Sequence, residues 1–402
     1  MSANGRRLRV FMMDLVATVP YYTAYLSKVL LKENVELQVG SISYYLDPEC
    51  FSSRGIKVDP GLVNVVGRFN MPRLPRRGLK LLETMANLAA LRVRFMISPP
   101  DVVHVQFLPM LTTRLPLDLW FVQACRRRGV KIVLTVHDLM PHDTGEAHKA
   151  KFAELYAMVD AVICHSDTIR ARLAAEFNVP ETRVSVIPHG PFFYDLPPAG
   201  SDDVLREFEL EPGNLMVLWQ GIIFPYKGID LLLKAWRQVE LTTDAWLVIA
   251  GTGASELLEQ TRVQVAELGL KRVKLHFRFI STEELVALYR AADVVVYPYR
   301  AITTSGALAT GLALGKTIVA TDLPVFRELL TDGENARLVP PMDTRTLAEA
   351  LTGLLQDRAL RERLAEQVRA MRFGDESWLS IAKKTVAVYE KASGKRSVVS
   401  GQ

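Results

Sequence analysis

The chain reads as two doubly wound α/β domains in series, and three observations carry that reading. Short runs of β-branched and other apolar residues alternate with helix-length segments from the first residues onward. The runs are apolar on both faces, the pattern of parallel strands covered by helices on either side. The alternation breaks off once, near the middle, and then starts again.

In the first half the strand-like runs are LRVFMM at 8–13, VELQVGSI at 35–42, DVVHVQF at 101–107, KIVLTVH at 131–137, AVICHS at 161–166 and VSVIPHG at 184–190. Helical stretches such as Leu115 to Arg128 and Asp167 to Phe177 lie between them. The break is PFFYDLPPAGSDD at 191–203, where Pro191, Pro197, Pro198 and Gly200 leave neither a helical nor a strand period. It sets the expected domains at 1–197 and 198–374. The second series is LMVLWQ at 215–220, AWLVIA at 245–250, VKLHF at 273–277, DVVVYP at 293–298, TIVAT at 317–321 and ARLVP at 336–340. Thr344 to Ser393 reads as helices, and no solenoid repeat or low-complexity tract is present.

Composition fits two folded domains, with 402 residues and 49% apolar content. The balance of 49 Lys and Arg against 44 Asp and Glu, a net +5, is too mild to mark a nucleic-acid binder. Cys50, Cys125 and Cys164 lie far apart, which argues against a disulfide framework and against a zinc site and favours a reducing cytoplasm. The basic start MSANGRRLRVFMMDL is broken by Asp14 and runs into strand-like sequence, so it does not read as a signal peptide. Without a run of about 18 apolar residues, any membrane contact is expected to be peripheral.

Ligands of open parallel sheets bind beyond the carboxyl ends of the strands, so two such domains facing one another are expected to share a cleft. That rule selects 136–138, 187–190, 219–227, 250–253 and 297–306. GIIFPYKG, Gly221 to Gly228, follows a strand and opens a helix, with Lys227 just before the helix start. A phosphate there would meet backbone N–H groups, the positive end of the helix dipole and an ammonium; a tight turn alone would also explain the glycines. AGTG, with Gly251 and Gly253, repeats the device after the next strand. In YPYRAITTSGALATG, Thr303, Thr304, Ser305 and Gly306 precede a helix that contains Thr310. Such a cluster either caps the helix or holds a diphosphate.

His137 closes an apolar strand, where a histidine can touch a ligand hydroxyl or move a proton, or be simply structural. His142 and Asp143 follow in HDLMPHD, at a spacing that matches no metal motif, so no metal is expected. His165 and His189 are strand-end residues expected to shape loops. Between 67 and 94, Arg68, Arg73, Arg76, Arg77, Lys80, Arg92 and Arg94 face only Glu83, within an amphipathic helical pattern. That segment suits either an anionic membrane surface or a solvated helix face.

Taken in order, DVVHVQFLP, KIVLTVHDLMP, DAVICHSDTIRARL and VSVIPHG, then GIIFPYKGIDLLLKAW, LVIAGTG, STEELVALYRAADVVVYPY and ALGKTIVATDLPVFRELLTDGENARLVPP, resemble the successive signatures of the retaining GT-B glycosyltransferases of family 4, also called group 1. The resemblance covers nearly the whole chain. It implies two Rossmann-like domains facing across a cleft and transfer of a sugar from a nucleoside diphosphate sugar, held on the second domain, to an acceptor at the first. It matches Lys227 to the lysine that holds the donor phosphates and His137 to the histidine beside the transferred sugar, and makes 375–393 a helix that returns to the first domain. It implies neither cofactor nor metal. Polysaccharide, glycolipid or other glycoconjugate assembly is the expected setting, with a saccharide or lipid-linked acceptor, in the cytoplasm or at the inner face of the membrane.

The chain departs from the family at three places. Where the family sets two glutamates, it has Ile302 and Thr310. The loop before Lys227 carries no second basic side chain, Phe224 standing within it, and the glycine-rich first loop is replaced by ATVPYYTAY at 17–25. These losses keep two alternatives in play: an inactive binding or scaffold subunit, and a nucleotide-sugar epimerase or hydrolase on the same fold.

Overall fold

A computed structural model describes residues 7–66, 68–69, 73–141, 145–196, 205–210 and 213–395. The chain divides into two units, Met1–Pro188 together with Asp375–Gln402, and His189–Gly374.

The first unit is built on six parallel strands: β1 (Leu8–Asp14), β2 (Val35–Ser41), β3 (Val102–Val105), β4 (Lys131–Thr135), β5 (Ala161–Cys164) and β6 (Val184–Val186). Their order is β2-β1-β3-β4-β5-β6. Helices α1 (Pro20–Leu30), α2 (Arg73–Ile97), α3 (Leu117–Arg127), α4 (Gly145–Met158) and α5 (Asp167–Phe177) connect them. β3 and β5 are buried throughout, as strands covered on both faces must be, whereas the edge strand β2 exposes alternate residues in its first half. Local signals set the helix ends: Pro20 opens α1, and the Ser166 hydroxyl accepts from the Ile169 N–H at the start of α5.

The second unit repeats the plan with β7 (Met216–Gln220), β8 (Trp246–Gly251), β9 (Val273–Phe277), β10 (Val294–Tyr297), β11 (Ile318–Thr321) and β12 (Arg337–Val339), in the order β12-β11-β10-β7-β8-β9. Its helices are α6 (Ile229–Thr242), α7 (Ser255–Glu267), α8 (Thr282–Ala291), α9 (Gly306–Ala313), the single turn α10 (Pro324–Arg327), α11 (Thr344–Gln356) and α12 (Arg358–Ala370). Trp219, Trp236, Leu232, Val294 and Leu351 lie in one buried core between sheet and helices. All twelve expected strands are present, so the doubly wound reading of both halves stands.

The chain then returns. Helix α13 (Asp375–Ser393) packs on α1 and β4 of the first unit. Trp378, fully buried, stacks on Tyr25 with ring centroids 5.5 Å apart and meets Tyr22 edge-on. At the other crossing the units divide at Pro188–His189, before the proline-rich break, whereas the composition had pointed to 197–198. The reason is local. Arg290 donates to the Leu196 carbonyl at 3.1 Å, and the Phe192 ring lies against His189 and Gly306, so the segment after 188 is fastened to the second unit.

In both sheets strand order reverses beside the first strand, between β1 and β3 and between β7 and β10. Chains leaving two neighbouring strands there turn to opposite faces, which opens a crevice at the carboxyl edge.

Candidate functional site

At the reversal point of the second sheet three loops interlock by backbone contact. Gly221, directly after β7, has φ 146°, and an added Cβ would lie 2.7 Å from the Lys227 ammonium. Gly251, at the end of β8, has φ 148° and no room either, because its Cβ would fall 1.9 Å from the Gly221 carbonyl oxygen. Gly228, with φ 69°, presses on the Pro298 carbonyl at the same 1.9 Å. The Arg300 N–H then donates to the Tyr226 carbonyl at 2.7 Å, joining the loop after β7 to that after β10. Gly253 packs on Ile223 beyond β8. The glycines are therefore required by close backbone approach and not merely by turning.

This frame seats Lys227. Its ammonium lies 5.8 Å from the centroids of both the Trp219 and Tyr299 rings, a placement that attracts a cation to the ring faces. Burial raises the Tyr299 phenol, so it stays protonated, and the neighbouring Ser305 hydroxyl offsets part of that rise. Ser305 is the N-cap of α9 and accepts from the Leu308 N–H at 3.1 Å. The N–H groups of Gly306 and Ala307 lie ahead of the helical ladder, as in any first turn. Phe192 and His189 press against Gly306, which leaves no space for a side chain. Of the hydroxyls before the helix, Thr303 is buried and Thr304 half-buried.

Of the substituted positions, Ile302 is half-buried and Thr310 turns inward. Thr310 is buried, and its hydroxyl donates to the Gly306 carbonyl at 2.9 Å, so it is engaged with its own helix. A helical threonine commonly turns its hydroxyl to the i−4 carbonyl in this way. Arg300 and Arg278 are both engaged within the unit. Arg300 bonds the Pro225 carbonyl and Asp230, each at 2.6 Å, and Arg278 is paired with Glu284, whose carboxyl it holds down at about 2.

In the first unit His137 lies just beyond β4. Its Nε2 is 3.0 Å from Oε1 of Gln106, which stands at the end of β3 and is buried. Tyr22 and His165 flank the ring, with centroids 4.7 and 5.3 Å away. Burial keeps His165 neutral, lowering it to about 4, and its Nδ1–H donates to the Ile187 carbonyl at 3.0 Å. His189, in the second unit, likewise donates to its own loop, at the Gly190 carbonyl. Where the family has glycines after β1, the buried Asp14 carboxylate gathers the Thr18 and Val19 N–H groups and the Thr23 hydroxyl, and Ala17 takes φ 49°. Sequence reasoning missed Gln106 and Asp14, although both stand at the carboxyl ends of strands. Applying the strand-end rule to β1 and β3 finds them.

The basic segment proves less basic at its surface than in its sequence. Arg94 is bound to Asp59 and Gln38, Arg76 lies over the Tyr45 ring, and Lys80 is largely buried near Asp14 and Glu83. The outer face of α2 instead shows Leu81, Leu82, Met85, Val93, Met96 and Ile97, with Leu82 63% and Ile97 82% exposed. No described helix is long and apolar enough to cross a membrane. His142 and Asp143 lie outside the described residues. Among the described residues no group of three or more His, Cys, Asp or Glu is placed to hold a metal ion.

Comparison with known proteins agrees with this fold. Residues 19–190 match the model of Glycosyltransferase Family 4, and residues 202–371 match that of Glycosyl transferases group 1. An uncharacterized glycosyltransferase of Methanocaldococcus jannaschii is 26% identical over 63% of this chain and 65% of its own length. A phosphatidyl-myo-inositol mannosyltransferase of Mycobacterium leprae is 36% identical over 41% of this chain and 43% of its own. The chain thus spans less than two thirds of the length of either relative. Among solved structures, Anabaena Alr3699/HepE in complex with UDP-glucose superposes with a TM-score of 0.75 at 17% identity, covering 95% of this chain and all of that one, a likeness of fold. With both halves matched in sequence order, the chain belongs to the glycosyltransferases of group 1, family 4, and folds as two Rossmann-like units.

Proposed function

We propose that the protein transfers a hexose from a nucleoside diphosphate sugar to a hydroxyl of a saccharide or lipid-linked acceptor, with retention at the anomeric carbon. The observation that carries the proposal is the seat of Lys227: one ammonium held between two aromatic rings at a sheet reversal point. In this reading Lys227 and the backbone N–H groups from Thr303 to Gly306 meet the diphosphate, whose negative charge grows as the sugar departs. Gly221, Gly251 and Gly253 keep the surrounding loops close enough for that contact. His137 touches the transferred sugar, and no metal or cofactor is required. The acceptor hydroxyl attacks the face from which the diphosphate leaves, and its proton passes to a departing diphosphate oxygen. A UDP-glucose-bound neighbour of the same fold and a mannosyltransferase relative support a sugar nucleotide as donor.

Two experiments test the proposal. A thermal screen of UDP-glucose, GDP-mannose and other sugar nucleotides is expected to find one that stabilises the protein; no stabilisation by any of them points to the scaffold alternative. With that donor, Lys227→Ala is expected to lower turnover by about two orders of magnitude or more, the size of losing one charge-stabilising group. Unchanged turnover removes the mechanism.

The acceptor side of the proposal is a lipid surface at the cytoplasmic face of a membrane. The exposed apolar face of α2 favours it, with Arg92 on the same face and Arg68 exposed just before the helix. Because several of the segment's cations are engaged internally, apolar insertion is expected to contribute more than electrostatic attraction.

A further inference from the structure

We infer that Arg300 is the positioning residue of Lys227: its guanidinium fork clamps the turn that carries the lysine from both sides at once. Its functional meaning rests on the proposed contact between Lys227 and the donor diphosphate; the clamp itself is geometry within the second unit.

Lys227 stands in a turn that does little to fix itself. Pro225–Lys227 is a single 3₁₀ turn. The Lys227 N–H closes it on the Phe224 carbonyl at 3.0 Å, and the Gly228 N–H on the Pro225 carbonyl at 3.3 Å. Hydrogen bonds of this kind are poorer than those of an α-helix. Pro225 brings no N–H, and Gly228 leaves the turn through the left-handed region at φ 69°.

Arg300 supplies what the turn lacks. Its backbone N–H donates to the Tyr226 carbonyl at 2.7 Å, and its Nη1 donates to the Pro225 carbonyl at 2.6 Å. These are the two carbonyls that immediately precede Lys227. Its Nη2 donates to Oδ2 of Asp230 at 2.6 Å, in the first turn of α6 and just beyond the lysine. Asp230 is held in its turn, because its carbonyl accepts from Nε2 of Gln264 on α7 at 3.0 Å. One planar group therefore binds the chain on either side of Lys227. A fork of donors can do this, whereas a single ammonium offers one point of charge. The Arg300 side chain is 29% exposed and lies beside Ile223, Phe224, Ile229 and Leu257 in a groove of about 230 Å³. Apolar neighbours that thin out water strengthen such bonds.

The clamp also fixes where the lysine points. The ammonium lies 5.8 Å from the centroids of both the Trp219 and Tyr299 rings. Trp219 belongs to β7, and Tyr299 directly precedes Arg300. Arg300 thus ties the lysine turn to the segment that carries one of the two rings, and loss of the fork frees the turn to drift from it.

The test uses the full chain and Arg300→Met, which keeps an apolar stem and removes every side-chain donor. The backbone bond to Tyr226 survives in any variant, so the substitution isolates the fork. In ¹³C NMR of labelled lysines, the Lys227 ε-methylene signal is identified by its absence in Lys227→Ala. The two rings are expected to displace it from the signals of exposed lysines. Arg300→Met is expected to return it toward them, and Arg300→Lys to place it in between. A signal left at the wild-type position by Arg300→Met overturns the inference, whatever reaction the protein performs.

Turnover gives the second reading, with UDP-glucose or GDP-mannose, whichever stabilises the wild type. Arg300→Met is expected to lower kcat about tenfold and to raise the donor KM by less than about threefold, because the charge that Lys227 meets grows in the transition state. A residue that acts through Lys227 has nothing to position once the lysine is gone. The double variant Arg300→Met, Lys227→Ala is therefore expected to be as slow as Lys227→Ala alone. Losses that multiply show an independent role and overturn the positioning. If the NMR signal moves as expected while Lys227→Ala leaves turnover unchanged, the clamp holds and the proposed diphosphate contact falls.

Discussion

Gly228 illustrates how much a single residue of this site is constrained. It needs a left-handed backbone at φ 69°, and its missing Cβ makes room for the Pro298 carbonyl. Gly55 has nearly the same φ, 73°, with nothing within 4 Å. Gly55→Ala should therefore show only the conformational cost of a non-glycine residue at positive φ, about 1–3 kcal/mol. Gly228→Ala should lose more in denaturant unfolding and weaken nucleotide binding as well; equal losses would mean that the loop yields without consequence. Asp118 makes a second prediction. Its buried carboxyl accepts from the Met110 N–H and is pushed up by burial to about 7. The folded protein therefore binds this proton more tightly than the unfolded chain. Its contribution is fully present below the unfolded value of about 3.9 and is lost as pH rises through about 7. Asp118→Asn, which keeps an acceptor, is expected to flatten the fall in stability between pH 4 and 7; an unchanged slope assigns the pH dependence elsewhere.

At the scale of elements, α2 and α13 show opposite ways of using an apolar face. Helix α13 spends Trp378 and Tyr389 inside the first unit, so Trp378→Ala is expected to cost about 3–5 kcal/mol of stability, the range for deleting a large buried ring. A loss under 1 kcal/mol would mean that the helix is not integral to the unit. Helix α2 leaves Leu82 and Ile97 outside. Leu82→Glu is expected to abolish co-sedimentation with anionic vesicles, without affecting nucleotide binding, because a carboxylate replaces an inserting side chain. Retained sedimentation would exclude this face as the lipid contact. The amphipathic period of α2 was legible in the sequence, but the destination of its cations was not. Arg94 reaches Asp59 and Arg76 reaches Tyr45 through partners distant in the chain.

For the whole molecule, strand order decides which loops meet at the proposed donor site of the second unit. The order β12-β11-β10-β7-β8-β9 brings the loops after β7 and β10 together, although 70 residues separate Asp230 from its partner Arg300. A donor bound there stabilises the folded state by RT ln(1 + [L]/Kd), about 2.7 kcal/mol at a hundredfold excess over Kd. The thermal screen should reveal this as a concentration-dependent rise in melting temperature, and a rise with inorganic phosphate equal to that with the sugar nucleotide would deny nucleotide recognition.

The strands, the helices from Asp167–Phe177 to the terminal one, and the positions of Gly221, Lys227 and Ser305 at strand and helix ends were all readable in the sequence. Burial period and capping chemistry act over a few residues, and so they leave a local mark. Tertiary structure alone decided that Thr310 bonds its own helix, that Arg300 is tied to Asp230, that the segment after 188 joins the second unit, and that Gln106 stands between His104 and His137. Those outcomes depend on which strands lie side by side and on which partner a polar side chain meets when water is excluded. Neither is encoded in the spacing of residues along the chain.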